Sequence, residues 1–132
     1  MSTVNLVSDE AADETARAVF EDIRSVRKTD FINNFWRAAA NDSQEMKAVW
    51  EDIKRVMGPG ALDPLTKEMI YIAVSVANAC TYCAHSHTAS ARAKGMTDEM
   101  HAELMRVIGL AARTNHLANA MQVPVDEAFD KS

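Results

Sequence analysis

Apolar residues recur every three or four positions over most of the chain, which is the spacing of one face of an amphipathic α-helix. The pattern predicts a first helix from Ser8, as its N-cap, to about Lys28, and a second from Ser43 to the glycines at Gly58 and Gly60. A short aromatic segment, FINNFWRAAAND, lies between them. The apolar positions of these two helices are Ala16, Val19, Phe20, Ile23 and Val26, then Met46, Val49, Trp50, Ile53, Val56 and Met57.

The third long helix is predicted to begin at Asp63 and Pro64, an N-cap residue followed by a proline at the first helical position. Its sequence, LTKEMIYIAVSVANA, is apolar on nearly all sides after Glu68. A strand is conceivable for IYIAVSV alone, but the length and the proline favour a buried helix.

Two more helices follow. One runs from about Cys80 to Lys94 with Gly95 just beyond it, and Thr97 caps the other. The pattern leaves open whether this last helix continues through Gly109. Its apolar positions are Met100, Leu104, Val107, Ile108 and Ala111. The sequence therefore predicts an all-α fold of about six to seven helices, with a Cys-x-x-Cys motif at the N-terminus of a core helix.

Composition narrows the class of protein. A chain of 132 residues with 48% apolar and 25% charged residues predicts one globular domain over residues 1–132. The net charge of −5 argues against a nucleic-acid partner, which would need clustered basic residues. The N-terminus has no signal-peptide pattern and no apolar run is long enough to span a membrane, so we expect a cytoplasmic protein without a membrane partner. In that reducing compartment, two cysteines three residues apart indicate catalysis or metal binding.

The side chains most able to carry out chemistry, two thiols and two imidazoles, lie in the segment CTYCAHSH. Cys80, Cys83 and His87 are spaced three and four residues apart and therefore share one helical face, whereas His85 lies off it. Reduction of a peroxide needs an attacking thiolate, a proton donor for the leaving oxygen, and a second thiol that closes a disulfide. Glu68, at the mouth of the apolar helix, is predicted to have a raised pKa through burial and to exchange protons with a thiol or an imidazole.

Glu68 and the motif after it fit the pattern E-x11-C-x2-C-x3-H, which resembles the signature of alkyl hydroperoxidase D proteins in the carboxymuconolactone decarboxylase superfamily. The similarity covers about residues 50–121. It implies an all-helical fold in which Cys83 attacks the peroxide, Cys80 resolves the sulfenic acid, and His87 and Glu68 relay protons. It also implies a homo-oligomer, trimeric or hexameric, and an external dithiol reductant of the lipoyl or thioredoxin-like type.

Several alternatives stand beside this hypothesis. The two cysteines could be small buried apolar residues, or Cys80, Cys83 and His87 could bind zinc, although a structural zinc site usually draws a second ligand pair from elsewhere. A lactone decarboxylase would not need the cysteine pair, and a redox sensor would share only the first chemical step. Tyr82 is expected to pack rather than react. The sequence favours a thiol-dependent peroxidase with no cofactor and no metal.

Overall fold

The computed structural model describes residues 1–130, and all regular structure within them is helical. This confirms the predicted all-α fold and its number of helices. There are six α-helices and one short 3₁₀ helix: α1 (Glu14–Arg27), α2 (Asn34–Ala39), α3 (Ser43–Met57), α4 (Pro64–Ala77), α5 (Thr81–Ala93), α6 (Asp98–Met121) and the 3₁₀ helix Glu127–Asp130.

Aspartates cap α1 and α3, the two helices for which the sequence predicted serine caps. Asp13 accepts a hydrogen bond from the backbone N–H of Ala16 and begins α1, so the predicted N-cap at Ser8 is wrong. Ser8 instead caps a turn, where its hydroxyl accepts from the N–H of Ala11. Asp42 caps α3, and Ser43 is the first helical residue. A carboxylate accepts hydrogen bonds strongly and also complements the helix dipole, which explains why the aspartates prevail.

The chain divides into two compact units, residues 1–58 and residues 59–132. In the first unit α1, α2 and α3 enclose an apolar core centred on Phe20, Trp36 and Trp50, with the two indole rings edge to face at 5.5 Å. Val26, predicted on the apolar face of α1, is exposed. Because each unit has its own core, the prediction of a single domain over residues 1–132 stays a prediction.

The second unit contains α4, α5 and α6, with α4 packed against both of the others. Asp63 and Pro64 begin α4 as predicted. The predicted buried helix is covered on one face only, where its buried residues are Glu68, Ile72 and Ser75. Ile70, Val74 and Val76 are exposed.

Helix α6 continues through Gly109 without a break and is 24 residues long. Thr97 caps it as predicted. Met100, Leu104 and Ile108 pack against the core of the second unit, but the helix has no fully buried residue. None of the helices described is both long and apolar enough to cross a membrane.

Candidate active site

The two thiols lie at the first turn of α5. Ala79 has a left-handed backbone conformation, with φ of 55°, which ends the turn after α4 and starts the chain in its new direction. Cys80 then acts as the N-cap of α5, where its Sγ accepts the backbone N–H of Cys83 at 3.4 Å. Both thiols are free and half-buried. The predicted Cys-x-x-Cys motif at a helix N-terminus is therefore present.

The two thiols differ in acidity because one donates a hydrogen bond to the other. The thiol of Cys83 and then its backbone N–H donate to Sγ of Cys80, and these hydrogen bonds lower the pKa of Cys80. The same hydrogen bond, together with burial and the charge of Cys80, raises the pKa of Cys83 to about 11. The first proton therefore leaves Cys80, where the helix N-terminus also favours an anion.

Glu68 lies on α4 and turns its buried carboxylate towards two side chains of α5 and that of its C-cap residue, Lys94. Its Oε2 is 2.7 Å from Nδ1 of His87. Its Oε1 accepts hydrogen bonds from Oγ of Ser90 and from Nζ of Lys94, both at 2.9 Å. Lys94 also donates to Oγ of Ser90 at 2.8 Å. One carboxylate thus joins α4 to successive turns of α5.

These donors decide the charge of Glu68. Burial alone raises the pKa of a carboxyl group, but hydrogen bonds from His87, Lys94 and Ser90 outweigh it and lower the pKa of Glu68 to about 2. The predicted raised pKa is therefore wrong. Because the ionised carboxylate can only accept hydrogen bonds, Nδ1 of His87 must carry the proton, and in the neutral imidazole Nε2 is left as the acceptor.

A tyrosine covers the imidazole. The rings of Tyr71 and His87 are stacked, with centroids 3.6 Å apart and planes inclined by 19°. Burial raises the pKa of Tyr71, and the negative charges of Cys83, Glu68 and Cys80 raise it further. Through the stacked imidazole, Tyr71 joins the group of side chains around Glu68.

The structure joins the predicted site residues in two pairs, Cys80 with Cys83 and Glu68 with His87. Glu68 contacts His87, and the carboxylate reaches an imidazole rather than a sulfur. His85 lies off the thiol face as predicted, in a separate cleft of about 490 Å³ that His101 and Arg92 also line. In the described part of the chain, no three His, Cys, Asp or Glu side chains are placed to hold a metal ion.

Sequence reasoning missed Tyr71, Ser90 and Lys94. The last two follow His87 by three and seven residues, so extending the helical face of Cys83 and His87 by two more turns would have found them. Tyr71 follows Glu68 by three residues on α4. The same spacing rule would have placed Tyr71 and Glu68 on one face of α4. It could not have shown that Tyr71 stacks on His87.

Three comparisons bear on the class of protein that this fold and site define. The family model of the carboxymuconolactone decarboxylase family matches residues 44–126. The crystal structure of the alkylhydroperoxidase AhpD core from Rhodospirillum rubrum is 59% identical, with a TM-score of 0.96 over 100% of this chain and 99% of that one. Uncharacterized protein 4 in the cox locus of Paracoccus denitrificans is 39% identical over 59 residues, which are 45% of this chain and 50% of that protein.

The structure therefore defines an all-helical protein. It has a Cys-x-x-Cys pair at a helix N-terminus and a histidine hydrogen-bonded to a carboxylate. The chain belongs to the carboxymuconolactone decarboxylase family, and within it the chain is AhpD-like. It spans about half the length of the curated relative from Paracoccus denitrificans.

Proposed function

We propose that the protein is a thiol-dependent peroxidase that reduces organic hydroperoxides with Cys80 and Cys83. One observation carries the proposal: Glu68 holds the imidazole of His87 by a 2.7 Å hydrogen bond, one helical turn beyond Cys83. An imidazole fixed in this way can accept a thiol proton and return it to a leaving oxygen. The likeness to the AhpD core structure, whose title names an alkylhydroperoxidase, supports the same chemistry.

The first step assigns Cys83 as the attacking residue. Its high pKa means that a free thiolate is scarce, so we propose that Nε2 of His87 removes the proton as the sulfur attacks. A sulfur of high pKa is also the more intrinsically nucleophilic one. An S–O bond forms and the O–O bond breaks. The sulfur loses two electrons, and the alkoxide takes the proton from His87 and leaves as an alcohol, so that Cys83 becomes a sulfenic acid.

The second step uses Cys80. Because its pKa is lowered, Cys80 is ready as the thiolate when the sulfenic acid forms. It attacks the sulfur of Cys83, the S–S bond forms, the S–O bond breaks, and the departing hydroxide takes up a proton to become water. An external dithiol, of the lipoyl or thioredoxin-like type, then reduces the disulfide and is itself oxidised. The cytoplasmic location predicted from the sequence would supply such a dithiol.

Adding one equivalent of cumene hydroperoxide to the reduced protein tests the proposal. We expect both thiols of the chain to be lost for each peroxide consumed, with one equivalent of the alcohol formed, because the disulfide stores two electrons. Free thiols are counted with a chromogenic disulfide, and the alcohol is measured by chromatography. Dihydrolipoamide should then restore the thiols and sustain turnover.

Two results would contradict the peroxidase proposal. Thiols that persist for hours under excess peroxide exclude it. Thiols that oxidise once, with no turnover in any dithiol system, indicate a redox sensor instead. Metal analysis of protein purified without chelator is the control for zinc, since one equivalent per chain would assign Cys80 and Cys83 to a metal site.

We also propose that the chain forms a homo-oligomer, trimeric or hexameric as the resemblance implies. The support is the exposed apolar surface of α6, which includes Val107, Leu110, Leu117 and Met121. Large exposed apolar patches commonly mark protein interfaces. In sedimentation velocity at micromolar concentration we expect an assembly that Leu117→Asp weakens and Asn119→Asp, on the opposite side of the same helix, does not. A monomeric wild-type protein would exclude the proposal.

A further inference from the structure

The imidazole of His87 is held from two directions. Glu68 binds its edge at Nδ1 at 2.7 Å, and the ring of Tyr71 covers its face at 3.6 Å. A single hydrogen bond leaves the imidazole some freedom to rotate about its Cβ–Cγ bond, because the carboxylate can move with Nδ1. A stacked ring prevents that rotation, because turning the imidazole would break its contact with the aromatic face. The two contacts together fix the plane of the ring.

The plane of the ring decides where Nε2 points. Nδ1 faces Glu68, so Nε2 lies on the opposite side of the imidazole, and its lone pair lies in the ring plane. Proton transfer is sensitive to the direction of that lone pair. A residue that sets the plane therefore sets the direction from which a thiol proton can be accepted.

Both contacts come from one face of α4. Glu68 and Tyr71 are three residues apart on this helix, so their side chains project side by side. Tyr71 is half-buried and is stacked on the imidazole with an interplanar angle of only 19°. Helix α4 thus presents a carboxylate and an aromatic ring to the same imidazole of α5.

We propose that Tyr71 is a positioning residue, whose aromatic ring holds the imidazole of His87 in the plane that aims Nε2 at the proton of the Cys83 thiol. The effect on peroxide reduction rests on the proposed function, whereas the effect on the imidazole does not. The ring carbons make the stacked contact, so phenylalanine should replace tyrosine here. The phenol hydroxyl is not required by this role.

The test compares Tyr71→Phe with Tyr71→Leu, which removes the ring but keeps an apolar side chain. The first readout is the downfield proton resonance of Nδ1–H of His87, whose visibility depends on a lasting hydrogen bond to Glu68. We expect the resonance in the wild type and in Tyr71→Phe, and its broadening or loss in Tyr71→Leu. The second readout is the rate of peroxide consumption, which should fall on the order of tenfold in Tyr71→Leu and by less than about twofold in Tyr71→Phe.

Tyr82→Leu is the matched control, since Tyr82 is the other tyrosine of the chain and belongs to the Cys-x-x-Cys motif. It should leave the Nδ1–H resonance of His87 unchanged. Circular dichroism checks that each variant is folded. If Tyr71→Leu does not fold, Tyr71→Phe still tests the proposal. Retention of both the resonance and the rate supports it, and loss of either overturns it.

The outcomes separate this inference from the proposed function. A resonance that survives in folded Tyr71→Leu overturns the positioning role, whatever the activity. Loss of activity in Tyr71→Phe with the resonance intact also overturns it and assigns the function to the phenol hydroxyl. A wild-type protein without peroxidase activity, whose resonance still depends on the aromatic ring, contradicts the proposed function and leaves the positioning of His87 supported.

Discussion

Cys83→Ser is expected to lower peroxide reduction on the order of 1000-fold or more, to near the rate without protein. A serine hydroxyl is far less acidic and less nucleophilic than a thiol, so the attacking atom is lost. Cys80→Ser should instead complete one attack and stop, because no second thiol can displace hydroxide from the sulfenic acid. The two variants therefore separate the attacking sulfur from the resolving one.

Trapping with dimedone followed by mass spectrometry measures the difference. In Cys80→Ser we expect a dimedone adduct at Cys83, whereas Cys83→Ser should give little adduct at Cys80. The reverse result would make Cys80 the attacking residue and Cys83 the resolving one. The lowered pKa of Cys80 is the observation that favours this alternative. His85→Asn and His87→Asn form a matched control pair, because His87 is hydrogen-bonded to Glu68 whereas His85 lines a separate cleft.

Glu68→Gln is expected to have the next largest effect, a loss of about 100-fold or more in the rate of peroxide reduction. The neutral amide has nearly the same shape as the carboxylate but cannot stabilise an imidazolium, so His87 becomes a poorer proton acceptor. Lys94 loses its anionic partner as well. Stopped-flow measurement of thiol loss checks this, with the exposed Glu103→Gln as the matched control. A rate within about twofold of the wild type would exclude a role for Glu68.

The same variant should change the acid stability of the protein. The pKa of Glu68 is about 2 in the folded protein and 4.5 ordinarily, so its stabilising effect is complete above about pH 4.5 and disappears as the pH falls towards 2. Glu68→Gln removes this dependence. In urea unfolding at pH 7 and at pH 3, the loss of stability on acidification should therefore be smaller in Glu68→Gln than in the wild type.

Asp9 also makes the stability of the protein depend on pH in this range, so it must be the same in both proteins compared. Its pKa is also lowered to about 2, mainly by hydrogen bonding to Arg24 and then to Arg37. Because Asp9 is unchanged in Glu68→Gln, the difference between the two proteins isolates Glu68. An equal loss of stability in both would contradict the hydrogen-bonded, ionised state of Glu68.

Local sequence determined most of the helices. The pairing of Asp63 with Pro64 and the cap at Thr97 were predictable, because capping depends on residues only a few positions apart. The first N-cap was not, because Ser8 and Asp13 are both acceptable capping residues and the choice depends on where α1 meets the core. The exposed face of α4 was missed for a related reason, since an apolar sequence does not say which of its faces will be covered.

The site was predictable as a set of residues but not as a network. Helical spacing placed Cys80, Cys83 and His87 together, and Glu68 was singled out as a carboxylate on an apolar helix before the resemblance supported it. The direction of the pKa shift of Glu68 could not be predicted, because it depends on how many donors the fold brings to one buried carboxylate. Lys94 was overlooked because a lysine near a helix C-terminus ordinarily interacts with the dipole alone.

The capping role of Cys80 has a consequence for electron transfer. As a thiolate, its sulfur accepts the N–H of Cys83 and faces the positive end of α5, and the neutral disulfide gains less from that field. The fold thus stabilises the dithiol form over the oxidised form, and each tenfold preference raises the reduction potential of the couple by about 30 mV. In the proposed peroxidase cycle, the first turn of α5 therefore makes the pair a stronger oxidant of its electron donor, which favours reduction of the disulfide after each peroxide.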